Sequence, residues 1–350
     1  KSLCTTNLPD PTIADGSTGF DTKLWQGTGV AKSITGYNFS PDLVWGKARS
    51  ATNTHWLMDT VRGAGKRLVS ADTRAEDTPS GVLTSFNSDG FSIGTNTESN
   101  NSDGTTYVGW AWDAGSSTSS NSDGSITSNV RANASAGFSI VTATLPNFYT
   151  NYTIGHGLNA TPHFIIGKNR AESNQWDVYH QDVGTGKLLR LNSASAVSNA
   201  TANQDSYYPT APTNSVFGFV GNNNTMNFVW YVFTEVAGFS AFGSYTGNGS
   251  ADGPFVFTGH HARFLMIKCS TKSGEDWLML DTARDTYNDG DSSALYASIS
   301  VTDNSTSAIT TDILSNGFKC IGTNAAINQS GETYLYMSFA SNPFKTARAR

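Results

Sequence analysis

The sequence predicts an all-β fold made of tandem antiparallel β-sandwich units of the jelly-roll or concanavalin-like class, in three repeats. Short apolar stretches of about four to eight residues, alternating or continuous, are bounded by Gly, Asn, Asp or Pro, which is typical of strands. Amphipathic helical spacing is nearly absent. Several blocks of sequence also recur three times in the same order, which is the signature of a repeat architecture.

Two blocks stand at the start of each predicted unit. The first is an apolar strand with a lysine near its end, in PDLVWGKARS (41–50), PHFIIGKNRA (162–171) and ARFLMIKCST (262–271). The second contains a tryptophan, in HWLMDTVRG (55–63), QWDVYHQDVG (175–184) and DWLMLDTARD (276–285). Because Trp56, Trp176 and Trp277 return at one point of the pattern, we expect them to share a single position in the core.

A glycine-aromatic hairpin and a closing aromatic strand complete each unit. The hairpins are FNSDGFSIG (86–94), NSVFGFVG (214–221) and LSNGFKCIG (314–322). Asp and Gly tolerate the positive φ that tight hairpin turns require. The closing strands are TTYVGWAW (105–112), NFVWYVF (227–233) and TYLYMSF (333–339). A Gly-Phe strand precedes each unit, at Gly19-Phe20, Gly137-Phe138 and Gly238-Phe239.

These blocks predict the domain boundaries. The three β-sandwich repeats are expected at 19–115, 137–237 and 238–344. A polar Ser/Asn-rich tract at 116–136 is typical of a linker. Residues 1–18 are expected to connect to an upstream domain, since the chain starts at Lys1 without a methionine, and residues 345–350 form a C-terminal tail.

The composition excludes several classes of protein. Only 14% of the 350 residues are charged, against about 25% in an average soluble protein, so the surface must be rich in Ser, Thr, Asn and Gly. That surface suits extracellular β-structure. A net charge of −6 gives no basic footprint, so we expect no nucleic-acid partner. Because no apolar run approaches the ~18–20 residues of a membrane-spanning helix, we expect no membrane insertion.

The three cysteines form an odd set without the spacing of metal ligands. Cys4, Cys269 and Cys320 are expected to be free thiols, as in a protein assembled in a reducing compartment. A disulfide between Cys269 and Cys320 stays open, because the sequence gives no geometry for it.

No motif in the sequence predicts a catalytic site. Four scattered carboxylates could pair for glycoside hydrolysis, at Asp59, Glu76, Asp281 and Glu332. Asp59 and Asp281 occupy the same place in two repeats, however, and each stands three residues before an arginine, Arg62 or Arg284. The spacing favours local ion pairs. We therefore predict no catalytic residue and no enzymatic activity.

One acidic cluster belongs to the third repeat alone. The run DTARDTYNDGDSS (281–293) offers oxygen ligands of the kind that calcium prefers, from Asp285, Asn288, Asp289 and Asp291. The run lacks the spacing and the closing Glu of a calcium-binding helix-loop-helix. The alternative is a solvated turn. Calcium at this run is the only cofactor that the sequence suggests.

The chain resembles a family of virion proteins from marine bacteriophages that infect cyanobacteria and pelagic bacteria. The blocks that carry the resemblance are LCTTNLPDPTI (3–13), FSPDLVWGKARS (39–50), DTVRGAGKRL (59–68), NSDGFSIGTN (87–96), YVGWAWDAG (107–115), AGFSIV (136–141) and NGFKCIG (316–322). Together, blocks of this kind cover nearly the whole chain. The resemblance implies a tail fibre or similar appendage with jelly-roll or lectin-like β-domains, and an upstream β-domain before residues 1–13. The second repeat departs most from the pattern, in its hairpin and in its lack of the arginine.

The expected function is therefore that of a structural protein at the virion surface, assembled in the bacterial host cytoplasm and contacting host-surface glycan. Its expected partners are other virion proteins and further copies of itself, as a trimer. The alternatives are a carbohydrate-binding module, a capsid decoration protein and, least favoured, a polysaccharide depolymerase. Exposed aromatic side chains on one sheet face would indicate carbohydrate binding.

Overall fold

The computed structural model describes residues 10–222, 226–306 and 309–343. Cys4, residues 345–350 and the first part of the predicted connector lie outside them. The described residues are all-β, with 44% strand and no α-helix, which confirms the all-β prediction. A single 3-10 turn spans Gly16–Thr18. Among the described residues, no helix is long and apolar enough to cross a membrane.

Region 1, residues 20–112, contains two antiparallel sheets. Its strands are β1 (Phe20–Gln26), β2 (Lys32–Ile34), β3 (Leu43–Ala48), β4 (Trp56–Asp59), β5 (Leu83–Asn87), β6 (Gly90–Ile93) and β7 (Thr106–Trp112). The inner sheet has the strand order β1-β7-β3-β4, and the outer sheet has the order β2-β6-β5.

Region 2, residues 118–233, has a larger inner sheet. Its strands are β8 (Thr118–Asn121), β9 (Ser128–Asn133), β10 (Phe138–Thr144), β11 (Asn151–Gly155), β12 (Phe164–Asn169), β13 (Trp176–His180), β14 (Lys187–Leu188), β15 (Ser198–Asn199), β16 (Val216–Val220) and β17 (Asn227–Phe233). The inner sheet has the order β13-β12-β17-β10-β9-β8, the outer sheet pairs β11 with β16, and β14 pairs with β15.

Region 3, residues 240–343, completes the fold. Its strands are β18 (Ser240–Thr246), β19 (Asp252–Phe257), β20 (His260–Cys269), β21 (Leu278–Asp281), β22 (Ser292–Tyr296), β23 (Asn304–Thr306), β24 (Thr310–Leu314), β25 (Gly317–Ile321) and β26 (Thr333–Pro343). The inner sheet has the order β18-β26-β20-β21-β22-β23, and the outer sheet has the order β19-β25-β24.

The three inner sheets share a strand order: β1-β7-β3-β4, β10-β17-β12-β13 and β18-β26-β20-β21. Their inward faces meet in one hydrophobic core that draws residues from all three regions. Near its centre the rings of Trp112, Phe233 and Phe339 contact one another, with centroid distances of 6.2, 5.7 and 5.8 Å. These aromatic residues hold the same register position. Each lies opposite the residue four positions before the repeated lysine, which is Leu43, Phe164 or Phe264. Each outer sheet covers the other face of its own inner sheet with a separate core.

The strand register corrects the expected equivalence of the tryptophans. Trp176 lies opposite Lys168, whereas Trp56 lies opposite Gly46. One residue of shift turns a side chain to the other face of a sheet. Trp176 and Trp277 accordingly lie in the shared core, while Trp56 packs toward the outer sheet of region 1. The single shared position that we expected is therefore wrong for Trp56.

The Gly-Phe pattern shifts in the same way in region 3. Phe20 and Phe138 lie opposite Trp112 and Phe233, but the residue opposite Phe339 is Ser240. Phe239 thus lies one residue before the position that the Gly-Phe pattern predicted for it.

The polar tract at 116–136 is not a simple tether. It forms β8 and β9, a hairpin that extends the inner sheet of region 2 along the edge of β10. Arg131 on β9 forms a salt bridge with the buried Asp42 of region 1 at 2.7 Å. The Ser- and Asn-rich composition of the tract fits an exposed edge hairpin as well as a linker, because β8 is exposed.

Three seams join the inner sheets in a closed ring. In each seam a docking loop of one region contacts a receiving segment of the next. The docking loops are 69–76, 190–197 and 296–303, and the receiving segments are 170–176, 270–277 and 49–55, which form seams 1/2, 2/3 and 3/1 respectively. Because the third docking loop reaches back to region 1, a single chain closes the ring.

The two described cysteines agree with the expectation of free thiols. Cys269 and Cys320 are both buried and unbridged, so the disulfide that the sequence left open does not form. Both lie in the core beneath the outer sheet of region 3.

Candidate binding surface

Two of the four candidate catalytic carboxylates are locked in buried ion pairs. Asp59 accepts a hydrogen bond from Arg62 Nε at 2.5 Å, and Asp281 accepts one from Arg284 Nε at 2.6 Å. The side chains of these four residues have no exposed area. The predicted local ion pairs are confirmed, and they lie beside the seams rather than in a cleft.

The other two carboxylates are also engaged. Glu76 accepts from Arg62 and from Arg170, both at 2.9 Å. Burial alone would raise the pKa of Glu76, but its hydrogen bond to Arg170 and the charge of Arg62 hold it below the usual value. Glu332 accepts from the Thr271 hydroxyl at 2.5 Å, far from the others in the fold. Asp59 and Glu76 do come together, but Arg62 bonds to both and occupies the place that a substrate would need.

The repeated lysines are structural as well. Lys47, Lys168 and Lys268 are fully buried, and each ammonium donates to backbone carbonyls of the turn that follows its strand. Burial lowers the pKa of each of them to about 8. Their shared task is to donate to backbone carbonyls at and after the end of an inner strand.

The acidic run of region 3 is held together by its own hydrogen bonds. Asp285 accepts from the Ser293 amide at 3.0 Å, and Asp289 accepts from the Asp291 amide at 3.3 Å. The side-chain amide of Asn288 exchanges two bonds of 3.0 Å with the backbone of Ile313, extending the edge of β24. A cavity of about 20 Å³ lies beside the run.

This arrangement does not gather a ligand set for a cation. Among the residues that the structure describes, no three His, Cys, Asp or Glu side chains are placed to hold a metal ion. Calcium at Asp285, Asn288, Asp289 and Asp291 stays a prediction that the hydrogen bonds of the loop do not support. Tyr287, in the same run, is 74% exposed.

Sequence reasoning missed a pair of aromatic residues on the outer sheet of region 3. Phe255 and Phe257 on the edge strand β19 are 47% and 61% exposed, while Val256 between them is buried. Alternate residues of a strand point to opposite faces, so both phenylalanines lie on the solvent face. The only sequence signal was the alternation of GPFVF (253–257), in which the exposed positions carry the larger apolar residues.

The outward faces of the other two outer sheets carry hydroxyls at the corresponding positions. Val256 pairs with Phe318 as Ile34 pairs with Phe91 in region 1, so Phe255 corresponds to Ser33. Ser33 hydrogen-bonds to Ser92 across the strands at 3.0 Å.

In region 2 the pairing of Ile154 with Phe217 makes Thr153 the corresponding residue. The backbone amide of Thr153 donates to the Ser125 hydroxyl at 2.9 Å, and Ser125 in turn donates its amide to Thr153 Oγ1 at 2.8 Å. Of the three outer sheets, region 3 alone presents aromatic rings at this place.

Polar groups flank the two rings. Lys319 pairs with Phe255 in register, and Asp312 on β24 follows across the sheet. Lys319 also forms a salt bridge with Asp252, whose side chain is 84% exposed, so the pair contributes little to stability. Exposed rings beside a few polar groups form a surface that can stack on the apolar face of a sugar while charged groups hydrogen-bond to its hydroxyls. We refer to Phe255, Phe257, Lys319 and Asp312 as the aromatic platform.

Comparison with protein families gives one match, to a family described as a domain of unknown function, DUF7483, over residues 15–343. A search of curated proteins found no match, and a search of solved structures found none. The family match spans the inner and outer sheets of all three regions, including the aromatic platform and every seam. The chain therefore belongs to the DUF7483 family.

Proposed function

We propose that the protein is a structural component of a bacteriophage virion surface, in a tail fibre or similar appendage, and that it contacts host-surface glycan through the aromatic platform. The observation that carries the glycan contact is the exposure of Phe255 and Phe257 where the other outer sheets have hydroxyls. The phage assignment rests on the resemblance of the sequence blocks. The low charged fraction of 14% is in keeping with a protein that works outside a cell.

The architecture that we propose is three copies of one jelly-roll-like sandwich. The shared strand order of the inner sheets supports it, and so does the presence of an outer sheet in every region. The boundaries 19–115, 137–237 and 238–344 stay predictions within this proposal. Loops and surface positions of repeated units are free to diverge while the shared core keeps its residues.

We also keep the proposed partners, which are other virion proteins and a homotrimer. The three seams are closed within one chain, so further copies would assemble through other surfaces. The absence of enzymatic activity stays part of the proposal, and the engagement of Asp59 and Asp281 by arginines supports it.

The glycan contact is tested by giving region 3 the residues of region 1. The variant Phe255→Ser with Phe257→Thr places on β19 the side chains that region 1 has at Ser33 and Thr35. On a printed panel of neutral and acidic oligosaccharides, we expect the wild type to bind a subset and the variant to lose at least about tenfold in affinity. Both side chains are largely exposed, so the thermal unfolding midpoint should stay nearly unchanged.

The matched control is Phe148→Ser, which removes a phenylalanine that is 49% exposed in region 2, away from the platform. This control should bind the same oligosaccharides as the wild type. Equal binding by the platform variant, or equal loss in the control, would contradict the proposed contact. Release of reducing ends from the bound sugars would instead support the depolymerase alternative.

A further inference from the structure

The three seams share two hydrogen bonds that cannot distinguish one region from another. A ring N–H donates to a backbone carbonyl of the neighbouring region at 2.8 Å in every seam, from His55 to Tyr296, from Trp176 to Val69 and from Trp277 to Arg190. His55 Nδ1 accepts from Trp45, which leaves the proton of the imidazole on Nε2. Because each acceptor is a backbone carbonyl, each bond would form with any of the docking loops.

The second shared bond is made by backbone alone. The amide of the seventh residue after each carbonyl acceptor donates to a carbonyl of the receiving segment, at 2.6, 2.9 and 2.8 Å, from Asp303 to Arg49, from Glu76 to Arg170 and from Val197 to Ser270. Backbone bonds fix the depth and register of docking. They carry no information about which region has docked.

The side chains at this second bond do differ. At seam 3/1, Arg49 Nε donates to Asp303 at 3.0 Å, and Arg284 donates to the same carboxylate at 3.1 Å. At seam 1/2, Arg170 donates to Glu76, which also accepts from Arg62. At seam 2/3 the corresponding residues are neutral: Val197 packs against the shared core, and Ser270 Oγ donates to a backbone carbonyl of its own region.

We propose that these six side chains form a recognition code that fixes which region docks on which, so that the ring closes in the order 1-2-3. The code works by pairs of side chains. An arginine in a receiving segment pairs only with a docking loop that carries a carboxylate, and Ser270 pairs only with the docking loop that carries Val197. The six residues are Arg49, Arg170, Ser270, Glu76, Val197 and Asp303. The proposal is independent of the glycan contact.

The reverse ring shows how the code discriminates. In that order the loop of region 3 would meet Arg170, which is a match. The loop of region 2 would bring Val197 to Arg49, leaving that partly buried guanidinium without a carboxylate. The loop of region 1 would bring Glu76 to Ser270, so that Glu76 would keep Arg62 but lose Arg170. Two of the three seams would then set a charged side chain against a neutral one, a cost that the matched order avoids. Because the shared bonds are the same in either ring, the discrimination that we propose comes from the side chains at the six code positions.

The order of docking can be measured with a disulfide reporter. The hydroxyls of Thr73 and Ser173 meet at 2.9 Å across seam 1/2, so Thr73→Cys with Ser173→Cys should oxidise to a crosslink only when loop 69–76 sits on region 2. The full chain is unfolded in denaturant, refolded under reducing conditions and then oxidised. Crosslinked monomer is quantified by mass spectrometry and size-exclusion chromatography. The wild-type code should give a nearly complete crosslink.

Two variants with four substitutions each distinguish the effect of matched pairing from the effect of merely changing which residues are charged. The neutral variant carries Arg49→Ser, Glu76→Val, Arg170→Ser and Asp303→Val, which gives all three seams the same residues at the six code positions. The moved variant carries Arg49→Ser, Asp303→Val, Val197→Glu and Ser270→Arg, which shifts the neutral seam from 2/3 to 3/1 and keeps two mismatches in the reverse ring. We expect the moved variant to crosslink like the wild type. The neutral variant should lose at least about half of its crosslinked monomer to other species.

The proposal would be overturned if the neutral variant gave as much crosslinked monomer as the moved variant. It would also be overturned if the moved variant gave much less crosslinked monomer than the wild type. A milder pair covers the case in which the neutral variant does not fold. Arg49→Glu alone should lower the crosslink yield at least about twofold, and adding Asp303→Arg should restore it, because the charges are reversed but matched. Failure of Asp303→Arg to restore the yield would also contradict the code.

Discussion

Seams 1/2 and 2/3 use the same backbone contacts with opposite side-chain chemistry. At seam 1/2 the core of the contact is a cluster of charges, in which Arg62 bonds to Asp59, to Glu76 and to the Tyr231 hydroxyl, all largely shielded from water. The position of Asp59 is taken at seam 2/3 by His180, and that of Arg62 by Val183.

His180 is neutral and enclosed. Its Nδ1 accepts from the Asp182 amide at 3.1 Å, so the proton lies on Nε2, which faces the Tyr336 carbonyl of region 3 at 3.5 Å. Burial lowers the pKa of His180 to about 4, against the opposing charge of Asp182. The comparison teaches that the shared backbone bonds fix the depth and register of docking, while the response of each seam to pH and mutation depends on the variable side chains.

The largest expected difference between the seams appears in acid. Four buried histidines have folded pKa values of about 3 to 4, lowered first by burial: His55, His156, His180 and His260. Below pH 6.5 the unfolded chain binds protons that the folded chain does not, so stability falls as the pH drops toward 4. Each pKa unit is worth about 1.4 kcal/mol. We expect the free energy of unfolding to fall on the order of 5 kcal/mol between pH 7 and pH 5.

Seam 2/3 should weaken before seam 1/2. His163 lies beside His180, and burial lowers its pKa too, while Asp182 and Glu235 only partly oppose this. At seam 1/2 the arginines hold the pKa of Glu76 below its usual value, so that its pairing persists to lower pH than an unpaired glutamate would allow. Asp42 acts against the trend, since burial raises its pKa to about 6 and its protonation favours the folded state in acid. Hydrogen exchange checks the order: the Val197 amide should lose protection at a higher pH than the Glu76 amide, and the reverse order would refute this account.

The next largest effect should come from breaking the charge cluster. Arg62→Met leaves Asp59 and Glu76 in the seam without their common partner, and we expect a loss of about 3–5 kcal/mol in the free energy of unfolding at pH 7. The same substitution at the equivalent position, Val183→Met, should cost less than about 1.5 kcal/mol because it adds only apolar volume to a half-buried site.

Acid provides a check on the cause. As Glu76 becomes protonated in acid it no longer needs a cationic partner, so the difference in the free energy of unfolding between Arg62→Met and the wild type should be smaller at pH 3 than at pH 7. Denaturant unfolding at both pH values measures it. Equal losses in the two methionine variants would show that the charges of seam 1/2 contribute no more than packing.

Much of the fold could be predicted from residue patterns, because strands bury alternate residues and turns need glycine. The lysine-containing strands, the closing aromatic strands and the pairs of Asp59 with Arg62 and Asp281 with Arg284 were all predicted from local spacing. The face of Trp56 was not, since HWLMD and QWDVY look aligned by their tryptophans while the register that decides the face is set by pairing across strands.

The seams and the platform could not be predicted for a different reason. The partners of Glu76 and Asp303 stand 94 and 254 residues away, and treating each repeat as a separate sandwich gave no cause to look for them. Phe255 and Phe257 look like core residues in the sequence. Only the burial of Val256 between them shows which face of β19 is solvated.

The smallest effect concerns seam 3/1, where region 1 differs from the others in a neighbouring pair. His55 stands where the other regions have Trp176 and Trp277, and Trp45 stands where they have Ile166 and Met266. In region 1 the indole thus lies on the adjacent strand, with a smaller side chain in its place just before β4, and the summed side-chain volume is nearly constant. The Trp45 indole donates to His55 Nδ1 at 2.9 Å, and that bond selects the tautomer that closes the seam.

Exchanging the pair back should therefore be tolerated only as a unit. His55→Trp alone overfills the site and deprives the Trp45 indole of its acceptor, and Trp45→Met alone leaves a cavity, so each should cost about 2–3 kcal/mol. Together they recreate the Met266 and Trp277 arrangement, in which the indole at position 55 donates to the Tyr296 carbonyl as Trp277 donates to that of Arg190. The double variant should lie within about 1.5 kcal/mol of the wild type, and a double-mutant cycle measures the coupling. It should also flatten the acid dependence by up to about 1.4 kcal/mol per pH unit, since one buried imidazole is gone. Additive losses would mean that the two sites do not exchange volume, and that the correspondence of His55 with Trp277 is one of register alone.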